Sequence, residues 1–517
     1  MCKTNMRDCE VKADTENKKS VGDTVEDALA MTGFGKYNFG LLLVCSWTLQ
    51  AMGMDMFGTS FVVAAAVCDL QLTMQQRALL TAMPLLGVVA GAQLWGYVSD
   101  TKGRKLTLML SMSIGFVFAA LSSFAPNWQI MAVLKLISST FTSASNSGAY
   151  TLLGESCSER ARGRAMLLCT CALMCSQATV AVFAYPILPL EFAYRIDFLD
   201  ITYRPWRLLA FVMSLPCAVT ACLLQLFYES PKFLASHGRY QEALEVLRGI
   251  YVSNTGSSAE SFPVKKLVED PETQGTNGQA SFFSSIWQQT APLFRQPLLK
   301  DTLKLFYLVA VIYMTGSGFI LWLPYIMNNL FSVLEIGAGE GMNLCTVIRY
   351  PMQDYIPSGN ITSIEVCDDT IQETTLFSAM TYGALASFSN LVLSLTCGSR
   401  KRQAMICILA MSAVSGVLLN VVHVPLAGGI LFFFFLMCAL SMGILSVYFV
   451  ELYPTSLRGM VSCLSVMLGR MFAFGGVNVI GALISTNCEA TFYAWTALLL
   501  TAIVVAWILP KDIQPKK

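Results

Sequence analysis

The sequence predicts an all-α, polytopic membrane protein whose twelve transmembrane helices form two six-helix bundles. Composition is the first observation: 55% of the 517 residues are hydrophobic and 13% are charged, with a mean hydropathy of +0.57. The second is a series of apolar runs of about 20 residues, the length of helix that crosses a hydrocarbon core of roughly 30 Å. The third is a set of motifs that recurs at one fixed separation along the chain.

The apolar runs divide the chain into regions. We predict a cytosolic amino-terminal tail at 1–37, a first bundle at 38–228, a cytosolic central loop at 229–302, a second bundle at 303–510 with an extracytosolic loop at 331–374, and a cytosolic tail at 511–517. The spans are expected near 38–66, 76–98, 106–124, 128–152, 165–189, 207–228, 303–330, 375–396, 403–421, 427–450, 460–484 and 490–509. In the central loop, the pattern at 238–249 predicts an amphipathic helix, and the polar stretch 253–279 predicts a flexible linker.

The positive charges of the short connections predict the orientation. Every second connection carries a cluster of Lys and Arg, and the connections between them carry few. Such clusters stay on the cytosolic side of a membrane, so both termini are predicted to be cytosolic. The clusters lie at 102–105, 160–164, 400–402 and Arg458. We therefore expect a multi-pass protein of the plasma membrane or of an intracellular vesicle membrane.

The extracytosolic loop carries residues typical of an oxidising compartment. Asn360 begins an Asn-Ile-Thr glycosylation sequon. Cys345 and Cys367 are expected to form a disulfide there. Cys68 and Cys488 can face the same compartment, so other connectivities remain open.

Several positions recur 296 residues apart, always near the cytosolic ends of the spans. Each position and its counterpart are Glu155 and Glu451, Arg162 and Arg458, and the Arg-Lys pairs at 104–105 and 400–401. Several matches at one separation argue for duplication of a six-helix unit, as is common in transporters.

Three motifs resemble those of the major facilitator superfamily. The connection 96–105, Gly-Tyr-Val-Ser-Asp-Thr-Lys-Gly-Arg-Lys, resembles its signature loop between helices two and three. The segment 451–459, Glu-Leu-Tyr-Pro-Thr-Ser-Leu-Arg-Gly, is similar to the signature of its second half. Residues 229–234, Glu-Ser-Pro-Lys-Phe-Leu, are similar to the segment after helix six of sugar and organic-ion transporters. The resemblance covers roughly 37–510 and implies the major facilitator fold.

Other features resemble one branch of that superfamily. Trp206-Arg207 and Leu-Trp-Leu-Pro at 321–324 resemble the synaptic vesicle glycoprotein 2-related and organic-ion transporters. The chain departs from that branch in span four, where Ser and Thr at 138–143 replace a Gly-rich pattern. In span five, Leu168 and Leu173 replace two aromatic residues. The ligands of that branch are therefore not carried over to this chain.

The resemblance and the repeat together predict a gating network on the cytosolic side. We expect Asp100 to accept hydrogen bonds from backbone N–H groups at a neighbouring helix start and to pair with Arg162, and Arg104 to pair with Glu155. These bridges would hold the halves closed on the cytosolic side in the outward-facing state. The alternative is a solvated charge cluster that only sets topology. The complete predicted set is Gly96, Asp100, Gly103, Arg104, Glu155, Arg162, and a second lock of Glu451 with Arg458.

The candidate substrate site consists of residues inside the predicted spans, where a charge costs about 2.5–3.5 kcal/mol on insertion scales. Asp55 in span one can bind a cation or carry a proton. Arg470 in span eleven resembles the arginine that organic-anion carriers place there, and its guanidinium can grip a carboxylate or sulfonate. A structural ion pair between these two residues is the alternative. Lys135 can snorkel to the extracytosolic interface, and Trp322 and Tyr448 are candidates to line the pocket.

These features predict a carrier rather than an enzyme. The chain has 2 His and a net charge of +1, which argues against a zinc hydrolase and against nucleic-acid binding. It has no Walker loop, and we expect no metal and no cofactor. We expect a monomer in the lipid bilayer that moves a small organic, charged solute by alternating access, either facilitatively or coupled to a proton or another ion. The competing hypothesis is a non-transporting vesicle-membrane glycoprotein that acts as a receptor or trafficking factor.

Overall fold

The computed structural model describes residues 24–268, 290–337, 339–353, 370–396, 400–453 and 455–510. Ten of the described helices are long and apolar enough to cross a membrane, and a pair bent by 41° makes an eleventh. The fourth predicted span consists of two shorter helical segments, whose sequence is rich in Ser and Thr. The predicted all-α, twelve-helix membrane fold is confirmed, with a small β-hairpin added.

The first half contains spans 1 to 6. Their bounds are Lys36–Ala65, Met74–Lys102, Arg104–Ser122, Trp128–Thr142 with Ala144–Glu155, Glu159–Met174 with Ser176–Ile187, and Pro205–Leu223. A short N-terminal helix, Val25–Thr32, precedes span 1. The antiparallel strands Tyr194–Ile196 and Ile201–Tyr203 form the hairpin between spans 5 and 6.

The second half contains spans 7 to 12. Their bounds are Leu299–Ile320 continued after a turn by Leu323–Glu335, Glu373–Thr396, Lys401–Val421, Pro425–Leu436 with Ser441–Leu452, Thr455–Leu483, and Cys488–Trp507. Two helices, Pro231–Ser236 and Tyr240–Thr255, follow span 6 in the central loop. A further helix, Leu344–Gln353, follows span 7.

Four spans are broken near their middle. The breaks are Ser143 in span 4, Cys175 in span 5, the π-helical turn Tyr313–Ser317 in span 7 and the 3-10 turn Met437–Leu440 in span 10. In span 4, hydroxyls donate back to earlier carbonyls, as Ser139 does to Lys135 at 2.7 Å, and such bonds compete with the helical ladder. Irregular backbone at membrane depth is tolerated where protein or a cavity surrounds it, so these breaks mark the interior of the molecule.

The two ends of the molecule carry different structures. One end, called the basic face below, carries the N-terminal helix, the central-loop helices and the Arg- and Lys-rich clusters at 102–105 and 160–164. The opposite end, called the hairpin face, carries the β-hairpin and the helix Leu344–Gln353. The helices alternate in direction, so each connection can be assigned to one of these faces.

The N-terminal helix packs into a folded cap on the basic face, although the sequence predicted only a tail at 1–37. Ala28 and Leu29 are fully buried in one apolar cluster with Phe233 and Leu247 of the central loop. Burial of apolar surface stabilises this docking. The N-terminal segment from residue 24 onward is therefore part of the first half.

Asn254 fastens the same cap to the start of span 1. Its side-chain oxygen accepts from the backbone N–H of Tyr37 at 3.0 Å, and its amide donates to the carbonyl of Thr32 at 3.1 Å. The predicted flexible linker at 253–279 is wrong for its first part. Phe262 and Val264 are buried against the helix Tyr240–Thr255 because that helix presents an apolar stripe to them.

A disulfide joins Cys345 to Cys488 on the hairpin face, with 5.6 Å between their Cα atoms. The predicted pairing of Cys345 with Cys367 is therefore wrong. Cys345 lies in the helix Leu344–Gln353, which packs near the start of span 12, where Cys488 lies. Cys68 is also disulfide-bonded. Asn360 and Cys367 lie outside the described residues.

The disulfide generates a first prediction. Mass spectrometry of a non-reducing protease digest should find a cross-linked peptide pair that contains Cys345 and Cys488. The bond joins residues that are 143 positions apart. A disulfide that closes a loop of that length stabilises the folded protein by about 2–5 kcal/mol. Cys488→Ser should therefore lower the thermal unfolding temperature of the detergent-solubilised protein, whereas Cys407→Ser, a free cysteine exposed on span 9, should leave it unchanged. A cross-linked pair of Cys345 with Cys367 would contradict the structure.

Candidate functional site

Asp55 and Lys135 form a buried ion pair inside the first half. The Lys135 ammonium lies 2.9 Å from Asp55 Oδ1, and both side chains are 2% exposed. Ser138 donates to the other carboxylate oxygen at 3.3 Å. The predicted snorkelling of Lys135 is wrong, because the carboxylate of Asp55 holds the ammonium inside the bundle. The two charges neutralise each other, and removing one partner from such a pair is strongly destabilising.

Arg470 lies at the junction of the two halves. It belongs to span 11 and is 7% exposed. Nη1 donates to the sulfur of Met56 in span 1 at 3.2 Å, and the guanidinium carbon lies 5.3 Å from the ring centre of Tyr313 in span 7. Gly469 allows this approach, because a Cβ there would lie 2.4 Å from the Tyr313 ring. The site therefore contains groups from both halves.

The charge of Arg470 is not neutralised by a carboxylate of the described part of the chain. Within the described residues, no carboxylate forms an ion pair with the guanidinium, and Nε has no hydrogen-bond partner. The predicted alternative, a pair between Asp55 and Arg470, is not formed because Lys135 occupies Asp55. A buried guanidinium held only by a sulfur and an aromatic ring keeps donors available for an anion.

Trp322 and Tyr448 occupy different positions relative to this site. The Trp322 indole donates to the carbonyl of Val477 at 3.1 Å, so Trp322 is fixed against span 11 toward the hairpin face. Tyr448 lies in span 10 and is 3% exposed. The geometry around Arg470 instead involves Met56 and Tyr313.

Sequence reasoning missed Tyr313 and Gln177. Tyr313 supplies the aromatic ring under Arg470. Gln177 is 1% exposed at the break of span 5, and both atoms of its amide lack hydrogen-bond partners among the described groups. The available signal for both was a polar group inside an apolar run, next to Gly or Ser residues that break the helix.

On the basic face, Arg104 is the centre of the first half's ion-pair network. It lies 3.3 Å from Glu155, as predicted, and 2.9 Å from Asp100. Asp100 does not pair with Arg162: its side chain is 72% exposed and points to Arg104. The hydroxyl of Ser230 also donates to Glu155. The network therefore ties spans 2, 3 and 4 to the segment after span 6.

Glu229 takes the role predicted for Asp100. Its carboxylate accepts from the backbone N–H groups of Arg104 at 2.9 Å and Lys105 at 3.0 Å, at the start of span 3. A carboxylate is stabilising at this end of a helix. Gly103 makes the contact possible: its φ is 111°, and a Cβ there would lie 2.4 Å from Glu229 Oε2. A Cβ added at Gly96, in contrast, would have no neighbour within 4 Å.

Arg162 pairs with Glu26 of the N-terminal helix at 2.6 Å, and Lys232 contacts the same carboxylate. Burial raises the pKa of Glu26, but the hydrogen bonds and charges of Lys232 and Arg162 outweigh burial and hold the pKa below its usual value. Because a depressed carboxyl pKa contributes stability that is lost only as the pH falls through it, these pairs persist at neutral pH.

The second half repeats part of this arrangement. Arg458 donates to the carbonyl of Tyr453 at 3.1 Å, and Arg162 donates to the carbonyl of Cys157, five residues back in each case. Glu451 pairs with Lys401 and not with Arg458, so the predicted second lock is wrong. Each of these ion pairs stays within one half. In this conformation, they do not join the two halves.

Comparison with known proteins places the chain in a family. The sequence profile of the Major Facilitator Superfamily matches residues 43–355. Synaptic vesicle glycoprotein 2C of Mus musculus is 25% identical over 360 residues, which cover 63% of this chain and 48% of that protein. Synaptic vesicle glycoprotein 2B of Mus musculus is 25% identical over 369 residues, with coverages of 66% and 53%. The chain thus spans about half the length of these relatives.

Solved structures show the same fold. The xylose transporter XylE from E. coli, in a partially occluded inward-open conformation, has a TM-score of 0.63 at 14% identity, covering 92% of this chain and 100% of that chain. Its inward-open conformation has a TM-score of 0.63, also at 14% identity, with coverages of 93% and 98%. The profile match covers more than half of the sequence and agrees with the helices described above. The chain belongs to the Major Facilitator Superfamily.

Proposed function

We propose that the protein is an alternating-access carrier for a small organic anion. The observation that carries the proposal is that Arg470, buried at the junction of the halves, has no carboxylate partner among the described residues. Asp55 and Lys135, which also lie inside the spans, neutralise each other. A positive charge at membrane depth is costly, and such charges mark functional positions; an anionic solute would supply the partner that offsets this cost.

The surroundings of Arg470 favour an anion with an apolar or aromatic body. The Met56 thioether is polarizable and adapts to different shapes, and the Tyr313 ring offers an aromatic face. The guanidinium fork can bind a carboxylate or sulfonate with two parallel hydrogen bonds. Because Met56 belongs to the first half and Arg470 to the second, a solute bound here would respond to their relative motion.

The orientation remains part of the proposal. We infer that the basic face is cytosolic, with both termini on that side, because its connections carry the Lys and Arg clusters. The sequon at Asn360 would then be on the extracytosolic side with the hairpin face. Coupling to a proton or ion, the membrane of residence and a monomeric state belong to the same proposal.

Substitution of Arg470 tests the anion site. Arg470→Gln should weaken binding of aromatic carboxylates and sulfonates by about 2 kcal/mol or more, roughly thirtyfold or more, because it removes the charged fork. Arg470→Lys should recover part of the affinity, since the charge remains but the bidentate geometry is lost. The measurement is uptake of radiolabelled anions into proteoliposomes, beside the control Arg164→Gln, which removes an exposed arginine on the basic face.

Two outcomes would contradict this proposal. Uptake restricted to cations or neutral solutes, unaffected by Arg470→Gln, would exclude the anion site. Saturable binding without accumulation would favour the competing hypothesis of a non-transporting membrane receptor.

The Asp55–Lys135 pair offers a route for coupling to protons. Protonation of Asp55 would leave the Lys135 ammonium unpaired, so proton uptake and a change of conformation at this pair would be linked. We predict that Asp55→Asn and Lys135→Met alone each destabilise the protein by roughly 3–5 kcal/mol, and that the double variant regains most of that loss. Thermal unfolding in detergent measures this cycle.

Transport by the double variant separates structure from coupling. If Asp55 carries the coupling proton, the double variant should still exchange anions but no longer respond to an imposed proton gradient. An unchanged response to the gradient would mean that the pair is purely structural.

The basic-face network yields a prediction about rigidity. Gly103→Ala should destabilise the protein by about 1–3 kcal/mol, because residue 103 has a φ that L side chains rarely adopt and its Cβ would collide with Glu229. Gly96→Ala is the matched control in the same motif and should change stability by less than about 0.5 kcal/mol. Thermal unfolding of both variants measures this difference in stability. Equal destabilisation by the two substitutions would show that Glu229 does not hold the start of span 3.

A further inference from the structure

A second arginine makes the same kind of contact as Arg470, at the hairpin face. Arg77 lies in the first turns of span 2, and its guanidinium carbon is 4.7 Å from the ring centre of Tyr325 in span 7. Nη1 contacts the sulfur of Met74 at 3.7 Å. No carboxylate of the described ranges forms an ion pair with Arg77. The cation is partly buried and is held by an aromatic ring and a thioether.

Both arginines contact aromatic rings of the same span. Tyr313 and Tyr325 both belong to span 7, and Arg470 and Arg77 each lie over one of them. Twelve residues separate the two rings along the chain, and the π-helical turn and the turn before Leu323 lie between them. Span 7 therefore carries one arginine–tyrosine pair deep in the molecule and one at its hairpin-face end.

The outer pair lies where the two halves meet. Ala78, the residue after Arg77, is 1% exposed and faces Gly481 of span 11: a Cβ at Gly481 would lie 2.5 Å from Ala78 Cβ and 2.7 Å from the Trp322 ring. Trp322 is fixed to span 11 by its indole N–H. Spans 2, 7 and 11 are therefore in close contact here, so the two halves meet on the hairpin face.

We propose that Arg77 is an outer anion-binding group, at the mouth of the path to Arg470, and that an incoming carboxylate or sulfonate replaces the Tyr325 ring as its partner. The inference rests on the proposed function. Arg77 belongs to the first half and Tyr325 to the second, so their contact must break when the halves part on the hairpin face. A cation–π contact contributes about 0.5–2 kcal/mol. A bidentate, charge-assisted pair with an anion is stronger, so the exchange favours opening when the solute is present.

This arrangement separates two roles within one contact. The Tyr325 ring keeps Arg77 in place and the mouth closed while no solute is present. The guanidinium attracts and receives the anion. Removing the ring should therefore loosen the mouth without weakening anion binding. Removing the guanidinium should loosen the mouth and also weaken anion binding.

The test uses four variants and one probe. Arg77→Gln removes the cation, Tyr325→Leu removes the ring, and Tyr325→Phe keeps the ring without its hydroxyl. Arg195→Gln is the control, because it removes an exposed arginine from the hairpin on the same face. Each is measured for uptake of radiolabelled benzoate, an aromatic monocarboxylate, by the full chain in proteoliposomes.

A reporter cysteine measures opening without solute. Leu85 is fully buried in span 2, seven residues from Ala78 and so on the same side of the helix. Leu85→Cys is labelled with a membrane-impermeant maleimide from the hairpin face, and the chain without the reporter gives the background. The labelling rate should rise in Arg77→Gln and Tyr325→Leu and stay unchanged in Tyr325→Phe and Arg195→Gln.

Benzoate uptake then separates an anion-binding group from a mere gate. Arg77→Gln should raise the KM about fivefold or more, more strongly at low ionic strength, because it removes the attracting charge. Tyr325→Leu should not raise the KM. An unchanged KM in Arg77→Gln, or an equal rise in both variants, would overturn the inference while leaving Arg470-dependent uptake intact. If the unmodified chain accumulates no organic anion and Arg470→Gln changes nothing, the proposed function itself fails, and the inference fails with it.

Discussion

The cost of a charge inside the membrane determines how this protein is built. Asp55 and Lys135 meet this constraint by pairing, with Ser138 completing the carboxylate's hydrogen bonds. Arg470 does not meet it within the described protein, and the second half brings an aromatic ring and the first half a sulfur to the same guanidinium. A cation that the fold leaves without a carboxylate is the feature that separates a functional position from a structural one. The proposed carrier activity depends on that difference.

Sequence reasoning predicted the spans and several of the charged residues that form ion pairs, but it paired some of those residues wrongly. Hydropathy and loop charge depend on local composition, so the helices were accessible from the sequence alone. Partner choice depends on which helices touch. The predicted alternative partner of Asp55 was Arg470, and only the packing of span 1 against span 4 shows that Lys135 takes that place. Glu229 lies 125 residues from Arg104, and no spacing rule connects the two.

The same dependence on which helices are in contact explains the wrong predictions at the two faces. The cap on the basic face uses apolar residues at 262 and 264 within a stretch whose composition resembles a linker, and a few buried side chains are sufficient to fold it. On the hairpin face, an oxidising compartment does not determine which two cysteines form a disulfide. The position of the helix Leu344–Gln353 beside span 12 does determine it. The motifs and the repeat identified Arg104 and Glu155, which form an ion pair. Motif spacing does not specify a partner from a distant segment, such as Ser230 for Glu155 or Glu229 for the start of span 3.

The docking of the N-terminal helix has a consequence for how the chain is made. Thr32 and Tyr37 are held by Asn254, and Glu26 by Lys232 and Arg162. Synthesis produces Lys232 and Asn254 more than 200 residues after their partners, when all six spans of the first half have already been made. The earliest residues of this unit therefore reach their final place last. During biosynthesis, the first half can be completed only after the ribosome has synthesised the central-loop helix. Until then the N-terminal helix lacks its docking site and is free to contact other molecules near the nascent chain.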